Sequence, residues 1–526
     1  MNVPENTGHP RRWAILGVLV VSLLVVVLDN TVLNTALRVI ADKEQGLGAT
    51  QGELEWAINS YTLVFAGLLF TAGVVGDRIG RRLMLTVGLV VFGAASLASA
   101  YAQSPEQLIA ARAFMGLGAA GIMPATLSII SNVFDPRERA RAIGAWAGAV
   151  GLGAAIGPLV GGGLLEKFWW GSVFLINVPI VIGGVVAVTV LVPESKDPKP
   201  GRIDVGGVLL SIVGLTALVY GIIHGGEHGF DRPQAWVSIV AGVAVLATFV
   251  WIESRSTHPS LDVRLFRNPA FSAASAAVGL AFFAVLGSFF FIVFYLQLVR
   301  GLSPLETGWL MVPFAVAQLI FAPRSAAMVR RFGPKFVASG GLALTTLALV
   351  GFTLIRADTP VWTVGALFFL MGVGMANVMP PATESIMSTL PREKAGVGSA
   401  VSNTVRQVGG ALGVAVLGSL LSAAYRNAMD DQVAGLPAPL AKAAKESLAG
   451  TYGVADGLGE RGAALIAPAN AAFIDAMHMV ALASVFVGAI SVAVVLAWMP
   501  RRSTTAPTPT QKRETPQEPA LAEATV

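Results

Sequence analysis

From Ala142 to Leu165 the chain carries no charged residue, yet glycine stands at Gly144, Gly148, Gly151, Gly153, Gly157, Gly161, Gly162 and Gly163, with Pro158 among them. In water such a stretch holds no helix, because each glycine costs about 1 kcal/mol of helix propensity relative to alanine and the proline removes a backbone donor. A bilayer reverses that balance. Unpaired backbone groups are not tolerated there, and small residues four apart let two helices approach closely. The stretch therefore reads as a membrane helix built to be packed against, bent near Gly157 and Pro158.

Composition places the rest of the chain in the same solvent. Of 526 residues 54% are hydrophobic and 13% charged, where a soluble domain has about 25% charged. Fourteen apolar runs, each near or above the ~20 residues a bilayer requires, stretch from residue 13 to residue 499. The first run follows Arg11 and Arg12 but exceeds a signal peptide's apolar core, so it reads as a retained helix. With no cysteine, the chain has neither disulfides nor thiolate metal ligands.

The net charge of +5 follows topology and does not indicate a nucleic-acid partner. With the N-terminus inside, inward loops and tails hold 23 of the 36 Lys and Arg residues and outward loops nine. That asymmetry predicts that both termini are cytoplasmic.

An internal repeat sets the organisation. Gly116–Thr126 (GLGAAGIMPAT) recurs as GVGMANVMPPAT from Gly372, and DPRERA from Asp135 is answered by LPREKA from Leu390. The expected layout is a cytoplasmic N-terminus (1–12), a six-helix bundle (13–192), two extra helices with cytoplasmic linkers (193–270), a second six-helix bundle (271–500) and a disordered tail (501–526). The second bundle includes an outer loop, 425–472, expected to form a partly folded cap. The fold class is an all-α membrane protein of fourteen helices. Repeated halves with a site between them suit alternating access.

Between the second and third runs stands Gly73-Val-Val-Gly-Asp-Arg-Ile-Gly-Arg-Arg82. Its glycines permit a tight reversal, Asp77 suits a helix terminus, and the arginines hold the loop at the cytoplasmic side. The stretch resembles the loop signature of the major facilitator superfamily. That resemblance implies a cytoplasmic gate formed by Gly73, Asp77, Arg78, Gly80, Arg81 and Arg82. Leu28–Leu37 resembles the first-helix motif of drug:proton antiporters, and Leu108–Gly118 resembles their fourth-helix motif, in which the arginine is linked to proton transfer. Gly153, Gly157, Pro158, Gly161 and Gly162 resemble the fifth-helix motif of exporters. With fourteen spans, the chain is similar to the fourteen-helix drug:proton antiporters. The resemblance implies amphipathic, often cationic, toxic compounds as substrates and a proton gradient as the energy source.

Ionisable residues inside a bilayer are costly, so each is a candidate for function. Asp29 lies sixteen residues into the first run, about 24 Å, and Arg112 about 9 Å from the outer end of the fourth. At similar depth, the two suit a carboxyl that alternates between a protonated form and a charge paired with arginine. A fixed structural salt bridge is the alternative. Glu384 and Arg406 are candidates for a second protonation site or for contact with cationic substrates, with an interfacial glutamate as the plainer reading. Asp475 and His478 are expected at the headgroups. Asn34, Trp56, Tyr61, Asn177, Phe290 and Gln297 are candidates to line the cavity.

Other patterns are set aside. Gly116-Leu-Gly-Ala-Ala-Gly121 fits a dinucleotide fingerprint but follows no strand. His224-Gly-Gly-Glu-His228 fits a zinc-protease pattern, but its glycines predict an outer turn, so no metal is expected. No phosphate-binding loop occurs, so no cofactor is expected. The sequence thus predicts a non-enzymatic monomer in the cell membrane, in contact with lipid, exporting a small amphipathic compound as protons enter. A symporter importing a nutrient and a non-transporting sensor are the competing readings.

Overall fold

The computed structural model describes residues 9–197, 204–256, 263–389 and 395–501, in which every regular element is helical. The first half holds α1 (Arg12–Ala41), α2 (Gln51–Ile79), α3 (Arg81–Ala100), α4 (Pro105–Val133), α5 (Pro136–Lys167), the short α6 (Ser172–Leu175) and α7 (Asn177–Leu191). Two further helices follow, α8 (Val205–His228) and α9 (Pro233–Arg255). The second half comprises α10 (Pro269–Phe294) with a π-helical end at Tyr295–Val299, α11 (Pro304–Phe332), α12 (Pro334–Phe352), α13 (Val361–Ala376), α14 (Met379–Ser388), α15 (Ala395–Met429), α16 (Ala438–Glu446), α17 (Leu448–Leu458) and α18 (Glu460–Trp498).

All fourteen expected runs fall on helices. Twelve helices among the described residues are long and apolar enough to cross a membrane, and the bent segment Gln51–Leu69 with Thr71–Ile79 makes a thirteenth. Lipid-facing surfaces account for the exposed Val186, Val190, Trp251, Trp362 and Phe486, which would be anomalous in water.

The halves repeat in their local chemistry. Thr50 begins α2 with a capping box through Glu53, and Ser303 begins α11 with one through Glu306. At the other end of the same two helices the chain reverses through Gly80 (φ +124°) and Gly333 (φ +83°), backbone angles that a side chain disfavours. A central core from both halves runs through the bundle and includes Tyr61, Phe92, Phe271, Phe291 and Phe368.

Close packing explains the glycine ladder. Gly153 faces Val27 and Leu24, Gly157 faces Thr31, and Gly161 faces Thr35 and Val32, so α5 lies tightly along α1 in its own half. The repeat shows the same device: Gly409 and Gly413 of α15 press on the backbone of Gly279 and Phe283 in α10. Contacts between halves use neighbouring positions. A Cβ at Gly162 would stand 2.5 Å from the Cα of Leu305 in α11, Gly308 of α11 abuts the Pro158 carbonyl, and Gly418 of α15 abuts Glu55 of α2. Gln297 donates to the Thr35 carbonyl (3.1 Å) and Ser303 to Glu166 (2.9 Å) across the same division. All of these lie toward the end of the bundle opposite the chain termini, called the distal end below.

The extra pair does not sit apart from the halves. α8 packs on α2 and α15 together, through Leu215, Val219 and Ile223 against Leu63, Ala411 and Ala415, while α9 covers α8 and is largely exposed. One expectation is corrected here. His224–His228 is no turn: α8 continues to His228 and ends at Gly229 (φ +100°). Its glycines are accounted for by crowding. Gly225 meets Phe230 and Gly226 meets Ser419, so the helix keeps them to admit its neighbours.

The segment 425–472 is folded at the distal end. The α15 Tyr425 hydroxyl meets that of Thr451 in α17 (2.6 Å), and the Tyr452 hydroxyl donates to the Leu298 carbonyl (3.0 Å). The expected tail lies outside the described residues from 502 onward, as do residues 1–8 and the Pro391–Lys394 loop.

Candidate functional site

Two of the buried charged side chains, Asp29 and Arg112, meet in the first half, whereas Glu55 of α2 and Glu253 of α9 are buried elsewhere. α1 brings Asp29 and α4 brings Arg112, both buried, and Arg112 Nη1 pairs with Asp29 Oδ2. Further contacts on this pair come from other helices. Arg112 Nε donates to the Ala57 carbonyl of α2 (3.0 Å), and the guanidinium lies 4.5 Å over the Tyr61 ring. Asn177, at the start of α7, donates to Asp29 Oδ1 (3.4 Å) and to Ser96 Oγ of α3 (3.0 Å), and Ser96 donates to the Phe174 carbonyl (2.8 Å). Helices α1, α2, α4 and α7 thus meet on one ion pair, and α3 braces Asn177 through Ser96.

This is an arrangement a low dielectric demands. Two ions of opposite sign without water need both each other and further hydrogen bonds, and removing one partner costs about 3–5 kcal/mol. A proton delivered to Asp29 would cancel its charge and leave Arg112 with a carbonyl and an aromatic face. Protonation would therefore give the pair a second, chemically distinct state.

In the second half, Arg406 of α15 stacks over Phe282 (5.6 Å) and donates to Asn403 Oδ1 (2.8 Å). It is also within electrostatic range of the Tyr61 hydroxyl. Glu384 sits in α14 with an exposed side chain. α14 is offset from α13 by a break at Asn377 and Val378, before Pro380 and Pro381.

The loop signature folds as a pinned turn. Asp77 accepts from Arg81 Nε (2.9 Å), four residues on and across the reversal at Gly80. The segment after α7 lies against it: the Arg81 amide donates to the Ser195 carbonyl (2.9 Å), the Asp197 amide to the Asp77 carbonyl (2.9 Å), and the Arg82 amide to Glu194 (3.1 Å). Glu194 occupies the space a side chain at Gly80 would need. Gly73 faces Pro124 of α4, and Arg78 is exposed.

The cavity candidates separate into groups. Tyr61 and Asn177 belong to the Asp29–Arg112 cluster. Asn34 donates to the Asn30 carbonyl (3.2 Å) and is half-buried. Trp56 faces Tyr220 of α8 (6.4 Å between rings), Phe290 packs on Phe294, and Gln297 bonds across the halves to α1. Asp475 is exposed, whereas His478 Nε2 engages the Ile355 carbonyl at 2.6 Å. The two histidines of the zinc-like pattern stack on each other at 4.4 Å, and no group of three metal-ligating side chains occurs among the described residues.

Sequence reasoning missed Ser96, the Ala57 carbonyl and Glu55. Ser96 and a carbonyl carry no signal in one dimension. Glu55 did, as a carboxyl inside an apolar run.

Two helical halves of repeated local chemistry, a buried ion pair and apolar outer walls define a membrane transporter. The chain belongs to the major facilitator superfamily, whose profile matches residues 19–414. It is 37% identical over 454 residues to the multidrug efflux pump LfrA of Mycolicibacterium smegmatis, covering 86% of this chain and 89% of that one. It is 34% identical to the methyl viologen resistance protein SmvA of Salmonella typhimurium, over 90% of this chain and 95% of that one, and 34% identical to the tetracenomycin C resistance and export protein of Streptomyces glaucescens, over 82% and 80%. Its fold is similar to that of a bacterial homologue of the lysosomal transporter Spinster, solved inward-facing and unoccupied, with a TM-score of 0.66 at 16% identity over 93% of this chain and 98% of that one.

Proposed function

We propose that this protein is a proton-driven antiporter that exports small amphipathic, often cationic, drugs or antibiotics across the cell membrane, with both termini cytoplasmic. The observation that carries the proton coupling is the Asp29–Arg112 pair, a carboxyl that can change charge only by taking up or losing a proton, held among four helices whose relative positions its charge state biases. The direction and class of cargo rest on relatives named as a multidrug pump and as methyl viologen and tetracenomycin C resistance proteins, one of them an export protein.

With the termini inside, the distal end faces outward, and the halves are shut there. Protonation of Asp29 from outside frees Arg112, the halves rock, and release of the proton inside restores the pair. Substrate then leaves as protons enter. Glu384 and Arg406 are the second-half contacts for cationic cargo in this scheme. The protein needs no cofactor or metal and works as a monomer with lipid around it.

The test is uptake into inverted membrane vesicles under an imposed pH gradient, across a panel of cationic dyes and antibiotics. Gradient-dependent uptake of some members, lost in Asp29→Asn at equal membrane abundance, is expected. Uptake that ignores the gradient, or survives in Asp29→Asn, overturns the reading.

A further inference from the structure

Counting five residues beyond the capping-box residues, Glu55 of α2 stands where Gly308 stands in α11. Each faces the other half. Gly308 abuts the Pro158 carbonyl of α5, and Glu55 lies across Gly418 of α15. The two seams between halves are thus equivalent, and the fold closes one of them with a bare glycine. Packing alone therefore does not call for a carboxyl at the other.

Glu55 is 1% exposed, and its Oε2 is buried with no hydrogen-bond partner. Its neighbour is a second carboxyl. Glu227 of α8 accepts from the Gly52 amide (2.9 Å) at the start of α2, three residues from Glu55 and close enough to interact with it electrostatically. Three glycines make the room. Side chains at Gly52 and Gly418 would strike Glu227 and Glu55 respectively, and one at Gly226 would strike Ser419, whose hydroxyl donates to the Ile222 carbonyl (3.0 Å).

The surrounding cations are otherwise engaged. Arg426 of α15 donates to the Gly226 carbonyl and is within electrostatic range of Glu227, Asp430, Asp231 and Glu446. Arg112 of α4 is committed to Asp29 and the Ala57 carbonyl. On α2 itself Glu53 is held in the capping box, and on α8 His224 and His228, which flank Glu227 in sequence, stack on each other. An ionised Glu55 would face a like charge with no hydrogen-bond donor on its buried oxygen, an uncompensated charge in a low-dielectric seam. The neutral acid avoids both costs while the seam is shut. Parting α2 from α15 admits water and removes them.

We propose that Glu55 is a second proton-binding site, separate from Asp29, whose bound proton latches the distal seam between α2 and α15 and whose loss to external water accompanies outward opening. The proposal rests on alternating access between the two halves. α8, from the extra helix pair, supplies through Glu227 the repulsion that makes the latch sensitive to protons.

The chain lacks cysteine, so one can be introduced as a reporter. Ser422, one turn beyond Gly418, is 6% exposed, and Gly435 lies exposed on the distal loop with open space around it. Labelling of Ser422→Cys by a membrane-impermeant maleimide added outside intact cells, divided by that of Gly435→Cys, reads seam opening free of thiol chemistry. This ratio should rise with external pH, by up to about tenfold per pH unit where a single proton is released. Glu55→Gln, which mimics the neutral acid, should hold the ratio low and flat, and Glu55→Asp should restore the rise. A rise that persists in Glu55→Gln overturns the latch and leaves alternating access standing. A flat ratio in the Glu55 parent overturns the latch, and if cargo also fails to alter labelling, the alternating-access reading falls with it.

Discussion

Asp29 of α1 and Arg112 of α4 form an ion pair in which each side chain is 1% exposed, and the arginine spends its remaining polar contacts on α2 and on Met115 of its own helix. The geometry uses the planar fork of arginine, since Nε and Nη1 serve different partners. Arg112→Lys keeps the charge and loses the fork. It should cut pH-gradient-driven transport by tenfold or more, on the order of one lost charged hydrogen bond. Near-normal transport in Arg112→Lys vesicles would show that charge alone matters.

Asn177 ties the same carboxylate to Ser96. Asn177→Ala removes a donor from Asp29 Oδ1 and leaves Ser96 its bond to the Phe174 carbonyl. The carboxylate is then less well satisfied, so proton uptake becomes easier. The transport optimum should move to higher pH, with a stability cost of about 1 kcal/mol. The pH profile of vesicle uptake decides it, and an unmoved optimum counts against Asn177 acting on Asp29.

At the distal seam, Gly162 meets backbone of α11 and cannot be relieved by a side-chain rotation. Gly162→Leu should cost about 1–3 kcal/mol from overpacking and stop export or make the protein leak. Gly163 has open space at its Cβ and serves as the control, since Gly163→Leu on the same turn should be tolerated. Thermal unfolding in detergent and dye retention in cells measure the two effects. Equal behaviour of both variants would remove the seam argument.

Gly80 combines a left-handed backbone with a Cβ position filled by Glu194. Gly80→Ala should therefore cost more than the roughly 1 kcal/mol of backbone strain alone. Glu194→Ala should relieve only the steric part. A double-mutant cycle on transport and stability would show coupling between the two sites, and strict additivity would argue against the contact.

Glu384→Gln removes one exposed charge from α14. If Glu384 contacts cargo, resistance to cationic compounds should fall several-fold while neutral compounds are exported as before. A uniform change across both classes would assign Glu384 to folding or gating.

Much of this was legible in one dimension, for a physical reason. A bilayer forces every backbone polar group into a helix, so long apolar runs such as 83–102 map directly onto α3, and the repeated Met-Pro segments of α4 and α13–α14 mark the two halves. A buried charge is costly enough that Asp29 and Arg112 stand out wherever they fall in such a run. The His224–His228 segment misled because glycine signals a turn in water, whereas here its glycines admit Phe230 and Ser419 against a continuous helix. The glycine ladder shows the same division of knowledge. Its spacing determined that something packs closely on α5, and only the tertiary structure decided that Gly153, Gly157 and Gly161 receive α1 while Gly162 receives α11. Likewise the sequence placed Glu55 in a membrane run, but its want of a donor and its place beside Glu227 depend on α8 crossing the seam between halves. Periodicity and cost are properties of a segment and can be read along it. Which helix lies against which is set by the packing of the whole bundle, and no segment carries that information alone.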